Sequence, residues 1–189
     1  MKVDILIATI EHASYAEEIC AVIERAAKER GTGIAKRAPE YIRKKMEEGK
    51  AIIALTDEGQ FAGFCYIETW DHGKYVANSG LIVKHEFRHL GLAKRIKERA
   101  FLLSRERFPD AKLFGITTSL AVMRINSNLG YKPVTFSELT ADEVFWNGCG
   151  SCPNFDVLTR TERKNCLCTA MVFDPEREAR KGKGGGTTT

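Results

Sequence analysis

The chain has 189 residues, 43% apolar and 29% charged, which suits one soluble domain with a packed core and a short extension. Its formal charge is +4, and Arg177, Arg180, Lys181 and Lys183 against Glu176 and Glu178 place +2 of that in the C-terminal tail, so the body lacks the dense basic face of a nucleic-acid binder. No apolar run approaches the ~20 residues of a membrane span, and the N-terminus MKVDILIATIEHAS lacks a signal-peptide pattern, so a cytoplasmic protein with no membrane partner is expected.

In chain order, VDILIA (3–8) reads as a short strand. From Ser14 to Arg30, Tyr15, Ile19, Val22, Ile23 and Ala26 recur at helical spacing, and glycines at 31 and 33 close the helix. A second helix begins near Pro39, a favoured first-turn residue, and ends at Glu48 before Gly49. AIIALT (51–56), FAGFCYIETW (61–70) and YVANSGLIV (75–83) are strands joined by the turns 57–60 and 71–74. A third helix starts near Gly91, carries Leu92, Ile96, Ala100 and Leu103 on one face, and stops before Pro109. KLFGITT (112–118) is a further strand, followed by a short helix to Gly130. Past Asp174-Pro175 the composition collapses to EREARKGKGGGTTT, which cannot bury apolar surface and reads as a disordered tail.

One segment carries the chemistry. The strand end Leu81-Ile82-Val83 leads through Lys84-His85-Glu86-Phe87 into Arg88-His89-Leu90-Gly91-Leu92-Ala93. The first N–H groups of a helix have no internal acceptor, and with the helix dipole they form an anion site. Gly91 allows close approach of a pyrophosphate, Ala93 keeps the next turn small, and Arg88 offers charge-assisted hydrogen bonds. Arg-x-x-Gly-x-Ala occurs by chance in many chains; its place at a strand-to-helix junction in the order β-α-α-β-β-β-α-β-α is what makes it informative.

On that motif and element order the sequence resembles the GNAT superfamily of N-acyltransferases over roughly residues 1–135. The resemblance implies an α/β (α+β) fold with a central, mixed, mostly antiparallel twisted sheet, splayed between its fourth and fifth strands and flanked by helices. It implies a core over 1–139, a cysteine-containing extension over 140–175 that completes the sheet, and the tail 176–189. It also implies that Leu81, Ile82 and Val83 hold the pantetheine arm of an acyl-CoA, that Arg88, His89, Leu90, Gly91, Leu92 and Ala93 cradle its pyrophosphate, and that a backbone N–H polarises the thioester. Gly130-Tyr131 matches the superfamily's Gly-aromatic pair. The position four before Gly130 holds Asn126 where a thiolate-protonating Tyr is usual.

The acceptor amine must lose a proton to attack. The two-residue period of strand 61–70 puts Phe64, Tyr66, Glu68 and Trp70 on one face, where desolvation by aromatics would raise the Glu68 pKa toward that of a useful base. Against this stands the reading of Glu68 as a solvated or Lys-paired strand end, and His72 in the following turn is the rival base. His85 and Glu86 read as surface residues.

The loop Gly33-Ile34-Ala35-Lys36-Arg37, the strand end Ile116-Thr117-Thr118 and Gly130-Tyr131-Lys132-Pro133-Val134 resemble the acyltransferase domain of N-acetylglutamate synthases. With the FWNGC…NCLCTAM segment they resemble the short, free-standing members of that group associated with arginine biosynthesis. The implied acceptor is the α-amine of glutamate or a similar dicarboxylic amino acid, the implied donor acetyl-CoA or succinyl-CoA, and a homodimer is compatible with it. A dicarboxylate needs cations, so Arg37 is the first candidate ligand and Lys36 the second; a solvated Lys-Arg pair is the alternative. The group's Arg after Thr-Thr is replaced by Ser119, for which Arg124 is a candidate substitute. A different acceptor, such as a protein N-terminus, polyamine or aminoglycoside, and a non-catalytic acyl-CoA sensor are the competing readings.

Six cysteines without an export signal point to free thiols. Cys149-x-x-Cys152 and Cys166-x-Cys168 suggest a four-thiolate zinc site, but reading 154–160 and 166–173 as hairpin arms puts Cys152 and Cys168 roughly 20 Å apart. The expectation is therefore no metal, with zinc and redox chemistry kept as alternatives to buried thiols.

Overall fold

A computed structural model describes residues 2–30 and 36–183, with the side chains of Arg30 and of 181–183 outside that description. The elements are β1 (Val3–Ile7), α1 (Ala16–Arg30), α2 (Pro39–Glu47), β2 (Ala51–Thr56), β3 (Phe61–Trp70), β4 (Tyr75–Val83), α3 (Leu92–Arg107), β5 (Lys112–Thr117), α4 (Leu120–Asn128), β6 (Lys132–Val134), α5 (Glu143–Asn147), α6 (Phe155–Arg160), β7 (Thr169–Phe173) and α7 (Pro175–Lys183). A 3-10 turn over Ile10–Tyr15 leads into α1.

The strands form one seven-stranded sheet in the order β1-β2-β3-β4-β5-β7-β6. Only β4 and β5 run parallel; every other neighbouring pair is antiparallel. β2, β3 and β4 follow one another through short turns, as their period-2 runs and turn residues require, while α1 and α2 connect β1 to β2. β7, from the extension, enters between β5 and β6 and pairs with both.

Each face of the sheet carries its own core. Ala16, Ile19, Ile23 and Ala26 of α1 and Ile42 and Met46 of α2 cover Ile53, Phe64 and Tyr66 on one face. Leu92, Ile96, Ala100 and Leu103 of α3 cover Ile52, Cys65 and Ile67 on the other. β3 is therefore buried on both sides. A third cluster joins Phe114, Trp146 and Leu158 beneath the C-terminal segments.

Two regions depart from the sequence reading. Residues 155–160 form α6, not a hairpin arm: the single buried side chain is Leu158, and Thr159 and Thr161 hydroxyls bond carbonyls four residues back. An apolar pattern this short fits a helical turn as well as a strand. The tail expected to be disordered is helical from Pro175 to Lys183, with Asp174 accepting from the N–H groups of Glu176 and Arg177 at 3.0 and 3.4 Å; its last six residues lie outside the described residues. Among the described residues no helix is long and apolar enough to cross a membrane.

Candidate active site

β4 and β5 pair only at their starts, Tyr75 with Lys112, Val76 with Leu113 and Ala77 with Phe114. Beyond Asn78 and Gly115 they no longer pair with each other, leaving their facing edges open while β5 stays paired with β7 and β4 with β3. β4 also carries a bulge: Phe64 to Tyr66 on β3 spans Ile82 to Ser79 on β4, two steps against three. Gly80 sits in it at φ +66°, where a Cβ would come within 2.7 Å of the Tyr66 ring, so only glycine fits.

The gap opens into a cavity of about 550 Å³. Asn78, Ser79, Gly80 and Leu81 line it from β4 and Gly115, Ile116 and Thr117 from β5. Lys36, Arg37, Tyr41, Tyr66 and Glu68 line its opposite part. Of the residues expected to hold the arm of a donor, Leu81 lines this space together with Lys36, Arg37 and Glu68, whereas Ile82 is buried in the core beneath α1 and α2 and Val83 packs against the core beneath α3. His72 does not line it; it is exposed in the β3–β4 turn at φ +54°.

Glu68 is placed as expected but its electrostatics are not. Tyr41 donates to its Oε2 at 2.5 Å, the Thr69 N–H donates to Oε1 at 3.1 Å, and the Lys45 ammonium pairs closely with Oε2. Burial pulls its pKa up, but the bonds from Lys45 and Tyr41 outweigh burial, and the carboxyl stays below its ordinary range. The sequence-based expectation of a raised pKa is therefore corrected: Glu68 is an ionised carboxylate held by a buried lysine. Lys45 and Tyr41 were missed. The signal was present in a lysine beside Ile42 and Met46 on the buried face of α2, with a tyrosine four residues before it.

Of the loop before Arg37, Gly33, Ile34 and Ala35 lie outside the described residues. Its Nε donates to the Tyr66 hydroxyl at 2.5 Å, its Nη1 donates to the Lys36 carbonyl at 3.1 Å, and its guanidinium stands 5.8 Å from the Tyr66 ring centre. Lys36 is exposed. Ser119 caps α4, its hydroxyl accepting from the Val122 N–H at 3.4 Å, which explains that residue locally. Arg124 is exposed and does not line the cavity, so it does not substitute for the missing arginine.

At the wide end of the gap β4 runs through a 3-10 turn over His85–Phe87 into α3. Gly91 caps α3 at φ +71°, and the space a Cβ would fill there is open. Leu92 turns into the core, His89 and Leu90 are exposed, and Arg88 reaches Glu29 of α1 at 3.4 Å.

Near the point of divergence lies a buried polar group that the sequence reading did not assemble. The Tyr131 hydroxyl donates to Asn78 Oδ1 at 3.2 Å, and Asn78 Nδ2 donates to Ser104 at 2.8 Å. The Lys97 ammonium stands 5.2 Å from the Tyr131 ring centre. Asn126 is buried with its Oδ1 unpartnered.

No family model matches the sequence, and no curated protein matches it. Solved structures match by shape. N-acetylglutamate synthase from Neisseria gonorrhoeae, complexed with coenzyme A and N-acetyl-glutamate, superposes with a TM-score of 0.65 at 18% identity, over 92% of this chain and 35% of that one. Rv2747 from Mycobacterium tuberculosis, in complex with CoA, gives 0.64 at 14% over 90% and 98%. A GNAT-family acetyltransferase from Staphylococcus aureus Mu50 gives 0.63 at 16% over 92% and 99%. The chain spans about a third of the gonococcal synthase and nearly the whole of the other two. Together with the splayed sheet, these likenesses establish the GNAT fold.

Proposed function

We propose that the protein is an acyl-CoA-dependent N-acyltransferase whose acceptor is the α-amine of glutamate or a similar dicarboxylic amino acid. The observation that carries this reading is the single cavity at the β4–β5 divergence, which joins unpaired strand backbone on one side to Arg37 and Glu68 on the other. The donor's pantetheine arm lies along Leu81, Ile82 and Val83 in strand fashion, and its pyrophosphate rests on the N–H groups that begin α3 at Gly91, flanked by Arg88, His89, Leu90, Leu92 and Ala93. In the gap a β4 N–H polarises the thioester carbonyl, where it stabilises the tetrahedral oxyanion more than the ground state.

Arg37, steadied by Tyr66, grips a carboxylate of the acceptor, and Lys36 adds charge at the rim. Glu68 is ionised at neutral pH and receives the ammonium of the acceptor. Glu68 first takes one proton from that ammonium, the freed nitrogen lone pair attacks the carbonyl carbon to form the C–N bond of the tetrahedral intermediate, and collapse of that intermediate breaks the C–S bond while the second nitrogen proton passes to water. Because Lys45 lowers its basicity, turnover rises with pH as free amine becomes abundant. Asn126 holds no transferable proton, so water protonates the departing thiolate.

Thiol release with acetyl- and succinyl-CoA against a panel of amines tests this reading. Release with glutamate and little with glutamine is expected. Equal turnover of glutamine or a polyamine would overturn the acceptor, and absence of release with every amine would overturn the activity.

A further inference from the structure

The four cysteines of the C-terminal third are the cluster that acyl transfer leaves unused. Cys149-Gly-Ser-Cys152 and Cys166-Leu-Cys168 are two short two-thiol arms. The hairpin that would have held them apart does not exist; α6 turns the chain back, and all four line one wall of the cavity. Asn154 lies between the arms. Its N–H donates to the Cys152 sulfur at 3.4 Å, and the Cys166 thiol reaches its carbonyl at 4.0 Å. Asn154 thus touches one cysteine of each arm, Cys152 and Cys166. All four are free and partly buried. Cys149, Cys166 and Cys168 pack against the apolar cluster that includes Trp146 and Leu158.

Four thiols on two short arms are the ligand set of closed structural zinc sites, and soft sulfur selects Zn²⁺ over the hard cations Mg²⁺ and Ca²⁺. An N–H donated to a ligand sulfur, as Asn154 donates to Cys152, is the outer-shell bond that steadies a metal thiolate. As the side chains stand, no three His, Cys, Asp or Glu groups among the described residues are drawn into a ligand set. Loading therefore requires the sulfurs to turn inward about Cα–Cβ, to Zn–S distances of about 2.3 Å.

We propose that Cys149, Cys152, Cys166 and Cys168 form a structural zinc site that clips the segment after α5 to the start of β7 and so holds one wall of the cavity. Binding forms four Zn–S bonds, releases four thiol protons to solvent and leaves the centre with a net charge of −2; no oxidant is involved. The expectation of no metal rested on the hairpin geometry, and that geometry is replaced. The site stands independently of the acyl-transfer reading.

The test uses the full chain purified under reducing conditions without chelator. Elemental analysis should find about one zinc per chain. Cobalt(II) in its place should show thiolate charge-transfer absorption and the visible bands of a tetrahedral ion. Cys152→Ser and Cys168→Ser should lose the metal, while Cys20→Ser, outside the cluster, should keep it. Where a serine variant does not fold, the wild type decides: mercurial displacement should release the zinc, and chelation should expose four further reactive thiols and lower the Tm. A metal-free chain whose four thiols react freely, a disulfide within the cluster, or an iron–sulfur chromophore would each overturn the proposal.

Discussion

Each face of the sheet buries one lysine, and the two are treated in opposite ways. On the α1/α2 face Lys45 meets the Glu68 carboxylate and, at 3.9 Å, Glu48. On the α3 face Lys97 is buried with no carboxylate among its described partners, over the ring of Tyr131 and near Cys65. Burial lowers its pKa to about 8, with Cys65 pulling slightly the other way. An ammonium given an anion keeps its charge in a pocket; one given only a ring and a thiol sits close to losing it. The cavity that needs a fixed charge pattern is on the first face, and the packed wall behind the gap is on the second.

The largest effect expected comes from breaking the paired lysine. Glu68→Gln should lower turnover by ~10²-fold or more at neutral pH. It should also destabilise the fold, by up to about 3–5 kcal/mol, because buried Lys45 loses its close anion and keeps only Glu48, at 3.9 Å. Adding Lys45→Met should restore much of the stability and none of the turnover, as read by urea melts beside thiol-release rates. Wild-type turnover in Glu68→Gln would remove the base, and His72→Gln would be tested next.

The unpaired lysine should respond in the opposite sense. Because its folded pKa lies below the unfolded value of 10.5, the folded chain sheds this proton first, and the wild type gains stability between about pH 8 and 10.5. Lys97→Met lacks that slope and should be the more stable at pH 7, by up to roughly 3 kcal/mol. Parallel pH profiles for the two chains would show that Lys97 keeps its charge by other means.

On the acceptor face, Arg37→Ala should raise the KM for glutamate by roughly 10- to 150-fold, the loss of a charge-assisted hydrogen bond worth about 1.5–3 kcal/mol, with KM for acyl-CoA unchanged. Arg37→Lys should rescue it only in part, since the two-pronged geometry and the bond to Tyr66 are lost. An equal rise in both constants would place Arg37 outside the acceptor subsite. The smallest effect belongs to the start of α3. Gly91→Asn and Gly91→Asp both tolerate the left-handed backbone there, yet only the aspartate sets a negative charge beside the proposed pyrophosphate. Calorimetry should find acyl-CoA bound more weakly by the aspartate variant, by about 1–2 kcal/mol. Equal affinities would count against the cradle.

Where the sequence spoke through local period, it was legible. Ile19, Val22, Ile23 and Ala26 repeat at helical spacing and are buried, while Tyr15 falls in the 3-10 turn before α1; Leu92, Ile96, Ala100 and Leu103 repeat and are buried in the same way. The strand-to-helix junction around Gly91 was also legible, because a left-handed cap favours glycine whatever packs nearby. Over 155–160 the same method failed, since two alternating apolar residues fit either period, and burial of Leu158 decided for a helix.

By itself, then, the sequence determined the strand and helix periods, the turns between β2, β3 and β4, and the presence of Glu68 on the same strand face as Tyr66. These depend on neighbours a few residues apart, which fix backbone dihedrals and side-chain direction. Only the tertiary structure decided that Lys45 and Tyr41 would meet Glu68 and depress its pKa, and that Lys97 would meet no carboxylate. It alone brought Cys149 and Cys152 round to Cys166 and Cys168. Charge environment and thiol clustering depend on which distant side chains share a buried space, and packing of helices on a sheet sets that, not the order of residues along the chain.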